Sequence, residues 1–187
     1  MKLLRVFFAI SLPEPTKEIL QQIQLLLKDK LPAQAVHWTP IPNLHVTLQF
    51  IRKINNSDLR KLIATVQKDI QSCPAFELQL GKLEFFPTIN HPVVIALEAK
   101  PANILTNLAT LIAKDIASIN YPIEEQSFRG HLTLGRLTEQ KPQPYTLELI
   151  KLPEIPLIEI RQISLFESKT GPENQIYTPL ANFSLIC

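Results

Sequence analysis

Two periods of apolar residues divide the chain into strands and helices. Alternation or runs of branched and aromatic residues predict strands over Leu3–Leu12, Leu44–Phe50, Phe76–Phe86, Val93–Ala99 and His131–Leu137. Three more are expected over Thr146–Leu152, Ile158–Ser168 and Tyr177–Ile186. Helical spacing appears after Pro15, with Ile19, Leu20, Ile23, Leu26 and Leu27 on one face and Pro32 just past the end. Ser57 is positioned to cap a second helix, whose stripe is Leu59, Leu62, Ile63, Val66 and Ile70. A third runs from about Ala102 to Ile119 and turns Leu105, Leu108, Ile112, Ile116 and Ile119 inward. Prolines punctuate the connection Val36–Pro42 and the turns Pro87–Pro92, Gln140–Pro144 and Pro153–Pro156, and Asn120–Gly130 is a loop.

Two of the strands carry the same tetrapeptide pattern, His45-Val46-Thr47-Leu48 and His131-Leu132-Thr133-Leu134. Residues two apart on a strand share a face, roughly 6.6 Å apart. Each strand therefore presents one imidazole and one hydroxyl, with apolar side chains behind. Phe8 precedes His45 by 37 positions and Ile95 precedes His131 by 36, so strand, helix and His-x-Thr recur in near register. This is the pattern of an internal duplication, with halves roughly 1–90 and 91–187 of a single domain. Two such halves related by a pseudo-twofold would bring the motif strands together at one groove.

Imidazole titrates near neutral pH. Two in one groove can divide the work of general base and general acid, each role contributing ~10²–10⁴-fold in rate. Paired hydroxyls can donate to an anionic oxygen without adding charge. The natural guest is a tetrahedral phosphate. Strict alternation puts Arg136 on the face opposite His131 unless Gly135 hosts a bulge. Arg129 is a second candidate for phosphate contact. Phe8 and Trp38 are candidates to stack on a base. His37, beside Trp38 and before a proline, and His91, in a turn, read as structural.

Composition narrows the alternatives. The 187 residues are 45% hydrophobic and 19% charged, ordinary for a globular domain. A net charge of +2 permits a polyanionic ligand without requiring one. Cys73 and Cys187 form no metal spacing or disulfide framework, which fits a reducing cytoplasm. Each His-x-Thr offers one metal ligand with no Cys or carboxylate beside it, so no metal is expected. Only four glycines occur and none forms a phosphate loop, which argues against ATP. The apolar stretch near Met1 is expected to be a strand rather than a leader, and no run approaches the ~20 residues of a membrane span.

The two motifs resemble those of the two-histidine (2H) phosphoesterase superfamily, specifically the RNA 2′,3′-cyclic phosphodiesterases, also called 2′-5′ RNA ligases. Arg5-Val6-Phe7-Phe8-Ala9-Ile10, Phe86-Pro87 with Pro92-Val93-Val94, Phe128-Arg129-Gly130-His131 with Gly135-Arg136, and Leu165-Phe166-Glu167-Ser168 extend the resemblance along the chain. Gly130 stands where the family often has proline. The resemblance implies an α+β fold: bilobal, with two pseudo-twofold-related lobes, antiparallel sheets lining a central cleft and helices outside. It implies opening of a 2′,3′-cyclic phosphate at an RNA end, or of a nucleoside 2′,3′-cyclic phosphate, to a 2′-phosphate by a monomer without metal or other cofactor. In that scheme His45 is the proton donor, His131 the proton acceptor, and Thr47 and Thr133 hold the phosphate. The alternatives are reversible 2′-5′ ligation of cyclic-phosphate and 5′-hydroxyl ends, or a non-catalytic module that binds RNA ends.

Overall fold

The protein is described from a computed structural model covering residues 3–88, 93–123, 127–139, 147 and 149–186. The first strand, β1 (Leu3–Ser11), leads into α1 (Glu14–Lys30), with Pro15 in its first turn and Lys28 and Lys30 in its last. Both placements suit a helix: proline lacks the N–H that the first turn leaves unpaired, and cations favour the C-terminal end. A three-residue strand, β2 (Val36–Trp38), and a 3₁₀ turn (Ile41–Asn43) precede β3 (His45–Asn55). Then come α2 (Leu59–Ile70), β4 (Phe76–Phe86), β5 (Val94–Lys100), α3 (Ala102–Ser118) and β6 (His131–Leu137). The chain ends with β7 (Ile158–Ile160), β8 (Gln162–Thr170) and β9 (Gln175–Ser184).

The described strands pair antiparallel in the order β7-β4-β5-β6-β3-β1-β8-β9, with β2 added to β6. The middle pair, β3 and β6, meets in register at Val46 and Leu132. On one side of this seam lie β3, β1, β8 and β9; on the other lie β6, β5, β4 and β7. The unit of strand, helix and His-x-Thr strand occurs on both sides, as β1–α1–β3 and β5–α3–β6. Each side also borrows strands across the chain, since β4 joins β5, β8 joins β1 and β9 joins β8. The sheet curls: β7 and β8 are nearly consecutive yet lie toward opposite ends of the strand order. Ala75 N–H donates to the Ile186 carbonyl (2.7 Å) and Ile186 N–H to that of Cys73 (2.9 Å), tying the start of β4 to the end of β9. Leu20, Ile23 and Leu27 of α1, Leu62, Val66 and Ile70 of α2, and Leu105, Ile112 and Ile116 of α3 complete one core with the strands. Among the described residues no helix is long and apolar enough to cross a membrane.

Several expectations are corrected. The connection Val36–Pro42 contains the strand β2, because β6 leaves an edge free beyond its contact with β3. Ser57 does not cap α2. Asp58 stands at the N-cap without a side-chain cap bond, and its carboxylate instead accepts the Tyr121 hydroxyl at 2.6 Å. The strand expected over Thr146–Leu152 is absent from its described residues: Leu147 and Leu149 are in 3₁₀ conformation, and Leu149 is 80% exposed. Pro153 and Pro156 follow, and proline cannot donate to a ladder. Ile158–Ser168 is two strands, broken at Arg161, because β7 pairs β4 whereas β8 pairs β1 and β9. His91 and the turn at Gln140–Pro144 lie outside the described residues.

Candidate active site

The seam between β3 and β6 sets the site. With Val46 opposite Leu132, one residue further along each strand puts His45 opposite Thr133 and Thr47 opposite His131. Directly opposed side chains stand ~4.5–5.5 Å apart at Cβ, and the two imidazoles occupy a diagonal of ~7–8 Å. A local twofold axis thus passes between Val46 and Leu132. All four motif side chains line one cavity of about 370 Å³, and Val46 and Leu132 are fully buried behind them.

The repeat extends to the tautomers. His45 Nδ1 donates to the carbonyl of Asn43 at 2.6 Å, and His131 Nδ1 donates to that of Arg129 at 2.9 Å. In each case the acceptor lies two residues earlier, and a carbonyl can only accept. The Nδ1 proton is therefore fixed on both rings, which leaves both Nε2 atoms for chemistry. His45 Nε2 lies 2.8 Å from Thr47 Oγ1. Burial holds His45 below the usual histidine range, with nearby His131 lowering it further against the Asn43 carbonyl. Burial lowers His131 too; the Arg129 charge adds to this and the Arg129 carbonyl opposes it. In both rings burial thus disfavours the charged form.

Aromatic rings wedge the imidazoles. Phe86 stacks on His131 with centroids 3.7 Å apart and planes 20° apart, and the Arg129 guanidinium covers that phenyl ring at 4.5 Å. Arg129 also pairs with Glu84 at 2.8 Å. His45 rests between Phe7 (4.9 Å) and Tyr177, which meets it edge-on at 5.4 Å. The Asn43 side chain donates to the Gln175 carbonyl of β9 at 2.7 Å, bracing the turn that holds His45.

Arg136 reaches the cavity through a bulge. Ile95 pairs Gly135 and Ala96 pairs Thr133, so Leu134 is an extra residue on β6. The extra residue shifts the alternation and carries Arg136 to the face of His131 and Thr133. The Leu134 carbonyl is satisfied by Thr39 N–H (3.0 Å) and Gln24 Nε2 (2.9 Å). Trp38, on β2 opposite Gly135, also lines the cavity, with Lys28 5.8 Å from its ring centroid. Among the described residues no group of three or more His, Cys, Asp or Glu side chains could hold a metal ion.

A family model for the 2′-5′ RNA ligase superfamily matches residues 12–172. The chain belongs to this superfamily. Two relatives named RNA 2′,3′-cyclic phosphodiesterase are each 26% identical to it. The Methanothermobacter thermautotrophicus protein aligns over 97% of this chain and 98% of its own length, and the Aquifex aeolicus protein over 99% of both. The crystal structure of E. coli LigT complexed with 3′-AMP superposes with a TM-score of 0.78 at 23% identity, covering 98% of this chain and 99% of that one. The fold likeness extends over 98% of the chain.

Two candidates from the sequence stand elsewhere in this superfamily member. Phe8 is fully buried and packs on Phe183 at 5.7 Å, because β1 is interior to the sheet and Phe8 faces the helices' side. It cannot stack on a ligand. Arg129 is committed to Glu84 and Phe86 and does not line the cavity; it serves the site through its backbone carbonyl and its charge. His37, read as structural, is an exposed residue at the cavity wall. Phe7, Asn43, Phe86, Gln175 and Tyr177 had no site role in the sequence, although Phe7 and Phe86 stand in stretches that carry the family resemblance. Parity was a further signal for Phe7, which lies on the face opposite Phe8.

Proposed function

We propose that the protein hydrolyses the 2′,3′-cyclic phosphate at an RNA end to a 2′-phosphomonoester by acid–base catalysis between His45 and His131. The observation that carries this is the paired tautomer lock: two imidazoles on one cavity, each with Nδ1 bonded to the carbonyl two residues before it. The names of the relatives and the 3′-AMP complex of LigT support the class of substrate.

His131 suits the base. With Nδ1–H bonded to the Arg129 carbonyl, the neutral ring has its lone pair on Nε2, and burial together with the Arg129 charge favours that neutral form. A water on that side loses a proton to Nε2 as its oxygen bonds to phosphorus. The bond from phosphorus to the 3′ oxygen breaks, and His45 Nε2–H delivers a proton to that oxygen. His45 must then start protonated, which the anionic phosphate favours once bound. The products are a 2′-phosphate and a free 3′-hydroxyl, and solvent resets both rings. Thr47 and Thr133 donate to the nonbridging oxygens, and Arg136 adds a fixed positive charge. Trp38 offers a platform for the base. Every step uses side chains of this chain, so the reaction is expected to proceed in chelator.

The test is incubation of the purified protein with a nucleoside 2′,3′-cyclic phosphate and EDTA, with the product isomer identified by NMR. The expected result is the 2′-monoester, with turnover reduced ~10²–10⁴-fold in either His45→Ala or His131→Ala. A 3′-monoester product, or activity that disappears with EDTA, would overturn the reading.

A further inference from the structure

A second, smaller pocket of about 220 Å³ shares His45, Asn43 and Tyr177 with the cavity, and its other lining residues are not among those of the cavity. Its remaining walls include Phe7, Phe166, Ser11 and Lys17. The chemistry of these walls is specific. Lys17 has only 17% of its side chain exposed, although its partner Glu14 (2.8 Å) is 78% exposed. A cation has thus been drawn against the protein while its counter-ion stays in water. Ser11, at the end of β1, adds an exposed hydroxyl. The same pocket has an aromatic wall: Phe7 stacks on Phe166 at 5.4 Å and meets Tyr177 edge-on at 4.8 Å. Phe166 and Tyr177 keep part of their surface open. One cation, one hydroxyl and two aromatic rings around a space too small for a whole drug-sized ligand match one unit of a nucleic-acid chain.

The position says which unit. Given the reaction above, His45 protonates the 3′ oxygen, so the terminal ribose sits on the His45 side of the phosphorus. The larger cavity, with Trp38, receives its base. The ribose's 5′ ester then continues past His45. We propose that the smaller pocket takes the nucleotide 5′ to the cyclic-phosphate terminus, its backbone phosphate on Lys17 and Ser11 and its base against Phe166 and Tyr177. The protein would thereby read an RNA end in preference to a free nucleotide. Phosphate contacts position a strand and aromatic contacts tolerate any base, so this preference is independent of sequence.

The experiment compares kcat/KM for a dinucleotide ending in a 2′,3′-cyclic phosphate with that for the corresponding nucleoside 2′,3′-cyclic phosphate. The wild-type ratio is expected to be about tenfold or more, the scale of one stacked base plus one phosphate contact. Lys17→Met should lower it severalfold while the stacking contribution remains, and Glu14→Gln, which frees Lys17, should raise it. A wild-type ratio near one, or a ratio unmoved in a normally melting Lys17→Met, overturns the pocket assignment. Equilibrium binding of the dinucleotide and nucleoside 2′-phosphates gives the same ratio without turnover. If neither cyclic phosphate is hydrolysed, the catalytic reading fails while the binding ratio still decides the pocket.

Discussion

Asp115 lies where α3 packs against α2 and is 3% exposed. The Asp69 carboxyl is its acidic neighbour, and its own Oδ2 has no hydrogen-bond partner among the described residues. Burial first, then the neighbouring Asp69, push its pKa up from 3.8 to about 6. A rise of roughly two units, at 1.36 kcal/mol each, amounts to about 3 kcal/mol. The folded protein holds a proton that the unfolded chain has released. Near pH 4 little penalty exists; as pH rises to about 6 stability falls, and above that the whole cost is present. Asp115→Asn retains the shape and can donate to Asp69 but cannot ionise. In urea titrations the variant should gain up to about 3 kcal/mol at pH 7.5, with an unchanged m-value, and the gain should vanish toward pH 4. For a chain of this size the corresponding rise in Tm is roughly 6–12 °C. A gain independent of pH, or a loss at pH 7.5, would refute the account of this residue.

Three further outcomes bear on the site. Because burial lowers both histidines from 6.5, the bell-shaped profile of kcat/KM should peak below that pH, while kcat, which reports the phosphate-bound state, should peak higher; an optimum of kcat/KM above about pH 7.5 contradicts the electrostatics. Phe86→Leu removes the ring stacked on His131 and should lower kcat about 2–12-fold with little change in KM, the range expected for loss of an aromatic pair; steady-state kinetics at two pH values check it. A Cβ at position 135 would collide with Val36 Cγ1 and stand 3.0 Å from the His37 carbonyl oxygen, so Gly135→Ala should cost about 1–3 kcal/mol and raise KM by shifting Trp38, as denaturation and kinetics would reveal.

Strands and helices were legible wherever a period could express itself. β3 and β6 stand out because one face of each is core and the other is not. The failures share a cause. Leu149–Leu152 is apolar enough for a strand but finds no partner, and β2 was hidden in a proline-rich connection because only the free edge of β6 makes it a strand. Phe8 read first as a core residue and only second as a platform, and the fold decides for the core, since sequence cannot say which face of an interior strand meets the ligand.

The chain's own pattern was sufficient to determine that two imidazole–hydroxyl pairs exist, that each is backed by apolar residues, and that they are spaced alike within a repeated unit. Local periodicity and residue chemistry carry that information. Tertiary structure alone decided that Val46 meets Leu132, that a bulge at Leu134 delivers Arg136, and that Arg129 turns to Glu84. Those outcomes depend on pairing between strands far apart in the chain, where one residue of register exchanges the faces and no local signal specifies the partner.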